Sequence, residues 1–137
     1  MSQRYMLDTN VISHIMQGRD AALLVRLTTV PVGQAVISSV TLAELEYGLH
    51  RRGQPERLKN ALAQVLLRMD VLPWDEKVAT CYGAFCATLE AQGINLSDFD
   101  MMIAAHAVAT DAILVSRDKA FAQVPTGGNP GLRLEVW

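Results

Sequence analysis

Apolar residues in this chain fall into short unbroken runs, separated by longer stretches in which they recur every three or four positions. The runs read as buried strands, and the longer stretches as helices with one face turned inward. RYMLD predicts a strand, and TNVISHIMQG predicts a helix directly after it, with Thr9 or Asn10 as its N-cap. Residues 20–30 predict a second helix and AVISS a second strand. From Val40 to Arg52, Leu42, Leu45 and Leu49 form the stripe of an amphipathic helix, which Gly53 ends. Pro55 opens a further helix through Met69. DVLPW then supplies a short strand ending at Pro73, and residues 75–92 a long helix punctuated by Gly93. Ser97 suits the N-cap of another helix, running through Asp100 to about Thr110. AILVS predicts a wholly apolar strand, Asp118–Phe121 a turn of helix, and GLRLEVW a last strand.

Apolar strands alternating with helices predict an α/β fold, a three-layer α/β/α sandwich around a short central parallel sheet. At 137 residues the chain is expected to form a single domain, over 1–137. Ligands of such sheets gather beyond the carboxyl ends of the strands, at a topological switch point.

Composition narrows this little. Half of the residues are hydrophobic and 19% charged, which opposes disorder. No apolar run reaches the roughly 18 residues of a membrane span. MSQRYMLDTN lacks the basic start and apolar core of a signal peptide, so the cytoplasm is the expected location. Cys81 and Cys86, five positions apart on a helix, point about 140° away from each other. They read as buried small hydrophobes, neither a disulfide nor a metal pair. The net charge of −2 runs against a nucleic-acid binder. If four of the 14 acids face a metal, however, 12 bases oppose ten acids.

Four acids invite that reading. Asp8 closes the first strand, Asp118 follows AILVS, and Glu44 and Asp100 are expected in first turns of helices. Asp8, Asp100 and Asp118 border the most apolar segments, where an ionised carboxylate is costly without a cation. Carboxylates drawn from distant segments build sites for hard divalent ions. Each also has a plain structural account: Asp8 as an N-cap, Glu44 as a charge on the helix dipole, and Asp118 as a turn residue. Asp98 should point away from Asp100 and cap its helix, and Glu46 should be solvated. Joint placement is what argues for a metal site.

These segments carry a resemblance. LDTN, SSVTLAELEYG, DMMIAAHA and LVSRD follow the order and approximate spacing found in the PIN-domain ribonucleases, and are most similar to those of the VapC toxins of bacterial toxin–antitoxin pairs. The likeness extends to the closing LRLEVW, with Ser116 where the family usually has Thr. It implies an endoribonuclease dependent on Mg²⁺ or Mn²⁺, with Asp8, Glu44, Asp100 and Asp118 as the acidic cluster. Asp8 and Asp100 would be the principal ligands, and Asn10 and Ser116 would hydrogen-bond behind them. It further implies an RNA substrate (initiator tRNA among enteric members), a VapB-type antitoxin whose C-terminal segment covers the site, and a homodimer.

Other readings compete. Asp8 as a phosphotransferase nucleophile on the haloacid-dehalogenase pattern would want a second Asp two residues on, where Asn10 stands. A nucleotide switch would need a phosphate loop, and neither GxxxxGK[ST] nor GxGxxG occurs. An RNA-processing nuclease that is not a toxin and an inactive interaction module complete the alternatives. His14, His50 and His106 lack zinc spacing and read as structural. Arg117 and Lys119, beside Asp118, are the better phosphate contacts, ahead of Arg51 and Arg52.

Overall fold

The computed structural model describes residues 3–126 and 131–137. Its strands are β1 (Tyr5–Leu7), β2 (Ala35–Ser38), β3 (Asp70–Leu72), β4 (Ile113–Val115) and β5 (Leu134–Glu135). All pair in parallel, in the order β3-β2-β1-β4-β5. The helices are α1 (Thr9–Gln17), α2 (Ala21–Thr29), α3 (Ser39–Arg51), α4 (Glu56–Leu66), α5 (Glu76–Ala91) and α6 (Asp98–Ala109), with a 3₁₀ helix at Lys119–Gln123. Helices on both faces of a parallel sheet are the three-layer sandwich that the alternating pattern predicts.

The two-residue period of the strands sorts the core into two halves. Met6, Val36 and Leu114 turn to one face and pack with Phe85, Leu89, Ile103 and Phe121 of α5, α6 and the 3₁₀ helix. Leu7, Ile37 and Val115 turn to the other, against Val11, Leu23, Leu45 and Leu62 of α1 to α4. Each fully buried Leu or Ile contributes about 1.5–3 kcal/mol. The inner strands β2 and β4 are buried along their whole length, whereas the edge strand β3 is largely exposed and β5 half-buried.

Several local expectations change. The N-cap of α1 is Asp8, whose Oδ1 accepts from the Val11 amide at 3.0 Å, and not Thr9 or Asn10. Only Asp8 thus separates β1 from α1, which begins at Thr9, and Gly18, at φ 67°, ends it. Ser97 caps α6 as expected, and Asp98, the other residue offered for that cap, does not. Helix α4 stops at Leu66, three residues early, and β5 holds only two residues of GLRLEVW. Cys81 and Cys86 are half-buried, not buried: they lie on α5 beside α6, with Cys81 Sγ 3.6 Å from the Ala105 carbonyl oxygen.

Candidate active site

The chain leaves β1 toward β2 on one side of the sheet and leaves β4 toward β5 on the other. The crevice between β1 and β4 is thus the topological switch point. Leu7 pairs with Val115, and the Asp8 amide donates to the Val115 carbonyl at 3.0 Å. Asp8 and Ser116 accordingly sit side by side, one residue beyond their strands. The Ser116 hydroxyl donates a short hydrogen bond to Asp8 Oδ2, while Oδ1 caps α1. Both carboxylate oxygens are held, and Asp8 is only 4% exposed.

Ser116 also receives the Asp118 amide at 3.0 Å, and Asp118 Oδ1 caps the 3₁₀ helix through Ala120. Asp100 lies in the first turn of α6, where Ser97 Oγ accepts from its amide at 3.2 Å. Glu44, expected in a first turn, lies in the second turn of α3, because that helix starts at Ser39 directly after β2. Thr9 Oγ1 donates to Glu44 Oε1 at 2.6 Å and thereby ties α3 to the start of α1. Thr9 was absent from the sequence-derived set; the one available signal was a hydroxyl next to Asp8 at a strand end.

The four carboxylates influence one another. Burial, above all, raises the pKa of Asp8, which the Ser116 and Val11 hydrogen bonds lower and the charges of Asp100 and Asp118 raise further. Burial also raises Glu44, against the Thr9 hydrogen bond and with Asp100 and Asp8 adding repulsion. Asp100 is raised by burial, lowered by Ser97 and raised by Asp118. Among the described residues the ion pairs are Arg26–Glu135, Lys59–Glu56, Arg117–Asp20 and Arg133–Asp111, and none neutralises the cluster. Among the described residues, none of the four carboxylates is ion-paired, so like charges meet there uncompensated.

Among the described residues, no three His, Cys, Asp or Glu side chains lie close enough to grip one ion together. The donors are nevertheless all oxygen, which suits a hard cation, and Mg²⁺ commonly keeps several waters between itself and its carboxylates. The donor set fits a divalent ion.

The remaining sequence-derived residues are placed as follows. Asn10 is exposed and lines a cleft of about 260 Å³ with Glu44, His14 and Arg52. Arg117 turns away from the crevice, to the Asp20 carboxylate at 2.6 Å and the Trp137 carbonyl at 2.8 Å. Lys119 is exposed at the start of the 3₁₀ helix. His50 is exposed on α3, and Gln54 lies 2.9 Å from its Nδ1. His106 is fully buried in α6, with Nδ1 2.7 Å from Ser38 Oγ.

On the α1, α2 and α4 side a separate groove of about 170 Å³ is lined by Ile15, Met16, Leu24, Leu27, Ala61 and Val65, with Leu24 half exposed.

Residues 5–127 match the PIN domain family. The chain is 35% identical to Ribonuclease VapC2 of Haemophilus influenzae and 36% identical to the tRNA(fMet)-specific endonuclease VapC of Shigella flexneri, each alignment covering 98% of both proteins. Its structure is similar to the VapBC2 complex of Rickettsia felis bound to a promoter DNA fragment, at TM-score 0.88 and 29% identity over 98% of this chain and 99% of that one. DNA-bound VapBC of Salmonella typhimurium is similar at TM-score 0.87 and 29% identity, over 98% of each chain. A β1–β4 crevice ringed by acids, in a sandwich that superposes on these proteins from end to end, places the chain in the PIN-domain family, among the VapC endoribonucleases, the toxins of toxin–antitoxin pairs.

Proposed function

We propose that this single nuclease domain hydrolyses RNA phosphodiester bonds at the Asp8, Glu44, Asp100 and Asp118 cluster with Mg²⁺ or Mn²⁺. The observation that carries the reading is the crevice itself: Asp8, Glu44 and Asp100 have pKa values raised by burial and in part by neighbouring carboxylates, and among the described residues none of the four acids is ion-paired. Asp8 and Asp100 would hold the ion, with Glu44 and Asp118 completing the set directly or through water. A divalent ion bound there would lower the pKa of a water molecule and stabilise charge on the phosphate. Ser116 fixes the Asp8 carboxylate from behind, and Thr9 fixes Glu44. Asn10, exposed at the cleft, is placed to meet substrate or ordered water, and Lys119 to meet a phosphate. Arg117 would first have to leave Asp20. Initiator tRNA is the proposed target, on the likeness to the Shigella flexneri enzyme.

The proposed partner is a VapB-type antitoxin, the companion present in the similar complexes. The groove between α1, α2 and α4 offers an apolar seat for it, and the half-exposed Leu24 is its natural centre. Action as a homodimer in the cytoplasm completes the proposal; among the described residues no helix is long and apolar enough to cross a membrane.

Growth tests toxicity directly. Expression of the chain alone should arrest bacteria, and Asp100→Ala should relieve the arrest at equal soluble yield. Arrest by a folded Asp100→Ala protein would locate the harm outside this crevice. Leu24→Asp should weaken antitoxin rescue at least tenfold in the pairwise Kd while leaving RNA cleavage intact. Rescue at wild-type affinity would place the antitoxin elsewhere.

A further inference from the structure

Helix α3 carries a stripe that begins at the acid cluster and leads away from it. Glu44, Tyr47, Gly48 and Arg51 stand at i, i+3, i+4 and i+7, on one face. Tyr47 is 66% exposed, and the Arg51 guanidinium lies 5.9 Å from the centre of its ring. Across from it is Phe99, 52% exposed and directly before Asp100 in α6. Tyr47 and Phe99 wall a depression of about 320 Å³ whose lining also includes Thr9, Glu44 and Arg51. Gly48 leaves it open, since a Cβ built there meets nothing within 4 Å.

Two exposed aromatic rings at the edge of an acidic crevice are costly to leave in water and belong to no core. A planar base fits between such walls, because every nucleobase has a π-face and stacking tolerates any sequence. The guanidinium beside Tyr47 supplies the one cationic element of the depression, where a neighbouring phosphate would pass. We propose that Tyr47, Phe99 and Arg51 form a subsite for one unpaired nucleobase of the RNA, next to the scissile phosphate. The subsite rests on the ribonuclease reading and deepens it. A base inside a duplex is already stacked and cannot enter, so the subsite selects single-stranded or looped RNA over paired RNA.

The test uses the full chain and a short fluorescein-labelled single-stranded RNA of mixed sequence, with its duplex as comparison. Binding is read by anisotropy in the Asp8→Asn background, and kcat and KM by cleavage in the Mg²⁺-loaded enzyme. Tyr47→Ala and Phe99→Ala should each weaken single-strand binding and raise KM about tenfold, the loss of one stacked base. Tyr47→Phe should restore both. Gly48→Leu, which fills the depression without removing either ring, should raise KM similarly, with circular dichroism showing an intact helix. The duplex should bind weakly to every protein and discriminate among none. Unchanged KM in Tyr47→Ala and Phe99→Ala would overturn the subsite while leaving the ribonuclease reading in place. A wild type that cleaves no RNA in Mg²⁺ would end both. Light scattering separates one more outcome: if these variants change the oligomeric state, the rings are a contact between copies and the proposal fails.

Discussion

Asp8 carries two roles that substitution can separate. It caps α1 through Oδ1 and contributes charge to the crevice. Asn caps as well as Asp, whereas Ala loses the cap at a cost of about 1 kcal/mol. In EDTA, Asp8→Ala should therefore melt lower than Asp8→Asn, which keeps the cap, while both abolish cleavage. Equal destabilisation by both would mean that the cap is not the stabilising element. Between the ordinary value of 3.8 and the raised one, the folded state binds more proton than the unfolded state, so stability is lost as pH rises through that window. In EDTA, Asp8→Asn should gain on wild type as pH climbs through that window and keep the gain above it, read as the difference in urea midpoints. A difference that shrinks with rising pH would contradict the direction. Saturating Mg²⁺ should reverse the ranking, because the ion stabilises only the wild-type cluster.

At the level of elements, the site depends on α3 and α6 keeping their distance from β1. His106 performs part of that work. Its Nδ1 meets Ser38 Oγ, and Ser38 in turn accepts from the Val40 amide at the start of α3. One buried side chain thus joins α6, β2 and α3. Burial, chiefly, lowers the His106 pKa, so its stabilisation is present above 6.5 and is lost as pH falls from there through the lowered value. His106→Ala should cost about 2 kcal/mol or more by urea denaturation, from lost packing and a stranded Ser38 hydroxyl. A change near zero would show that α3 and α6 are positioned by other contacts. The same elements show what a sequence can reveal. The position of Asp8 was legible, because an acid ending an apolar strand before a helix has few places to go. The N-cap was misplaced by one residue, since Asp, Thr and Asn adjoin and all cap well. The start of α3 was legible to within one residue, Val40 against Ser39, and Glu44, already the fifth residue of the expected helix, belongs to its second turn. Thr9 on Glu44, and Tyr47 facing Phe99, depend on how helices cross, and no local spacing encodes that. β5 ends at Glu135, which still pairs in register with Val115; beyond it Trp137 packs on Tyr5 instead of extending the ladder.

For the whole molecule, folding assembles like charges from four separate segments at the carboxyl end of the sheet, and their repulsion opposes the fold; on the proposed reading, a divalent cation relieves it. Binding to the folded state alone stabilises by about 2.7 kcal/mol at 100-fold above the dissociation constant. Wild type should therefore melt higher in Mg²⁺ than in EDTA, and the Asp8→Asn, Asp100→Asn double variant should not. An equal shift in both proteins would place the ion elsewhere. Ca²⁺ should raise the melting temperature yet support little turnover, since its larger, looser shell orients phosphate and water poorly. The most direct measurement is cleavage of initiator tRNA by the purified protein, followed by mapping of the new RNA ends. Wild type with Mg²⁺ or Mn²⁺ should cut at a defined position, EDTA should stop it, and Asp8→Asn and Asp100→Asn should each fall at least a hundredfold. Cleavage that persists in EDTA, or at wild-type rate in either variant, would contradict a metal-dependent centre built from these carboxylates.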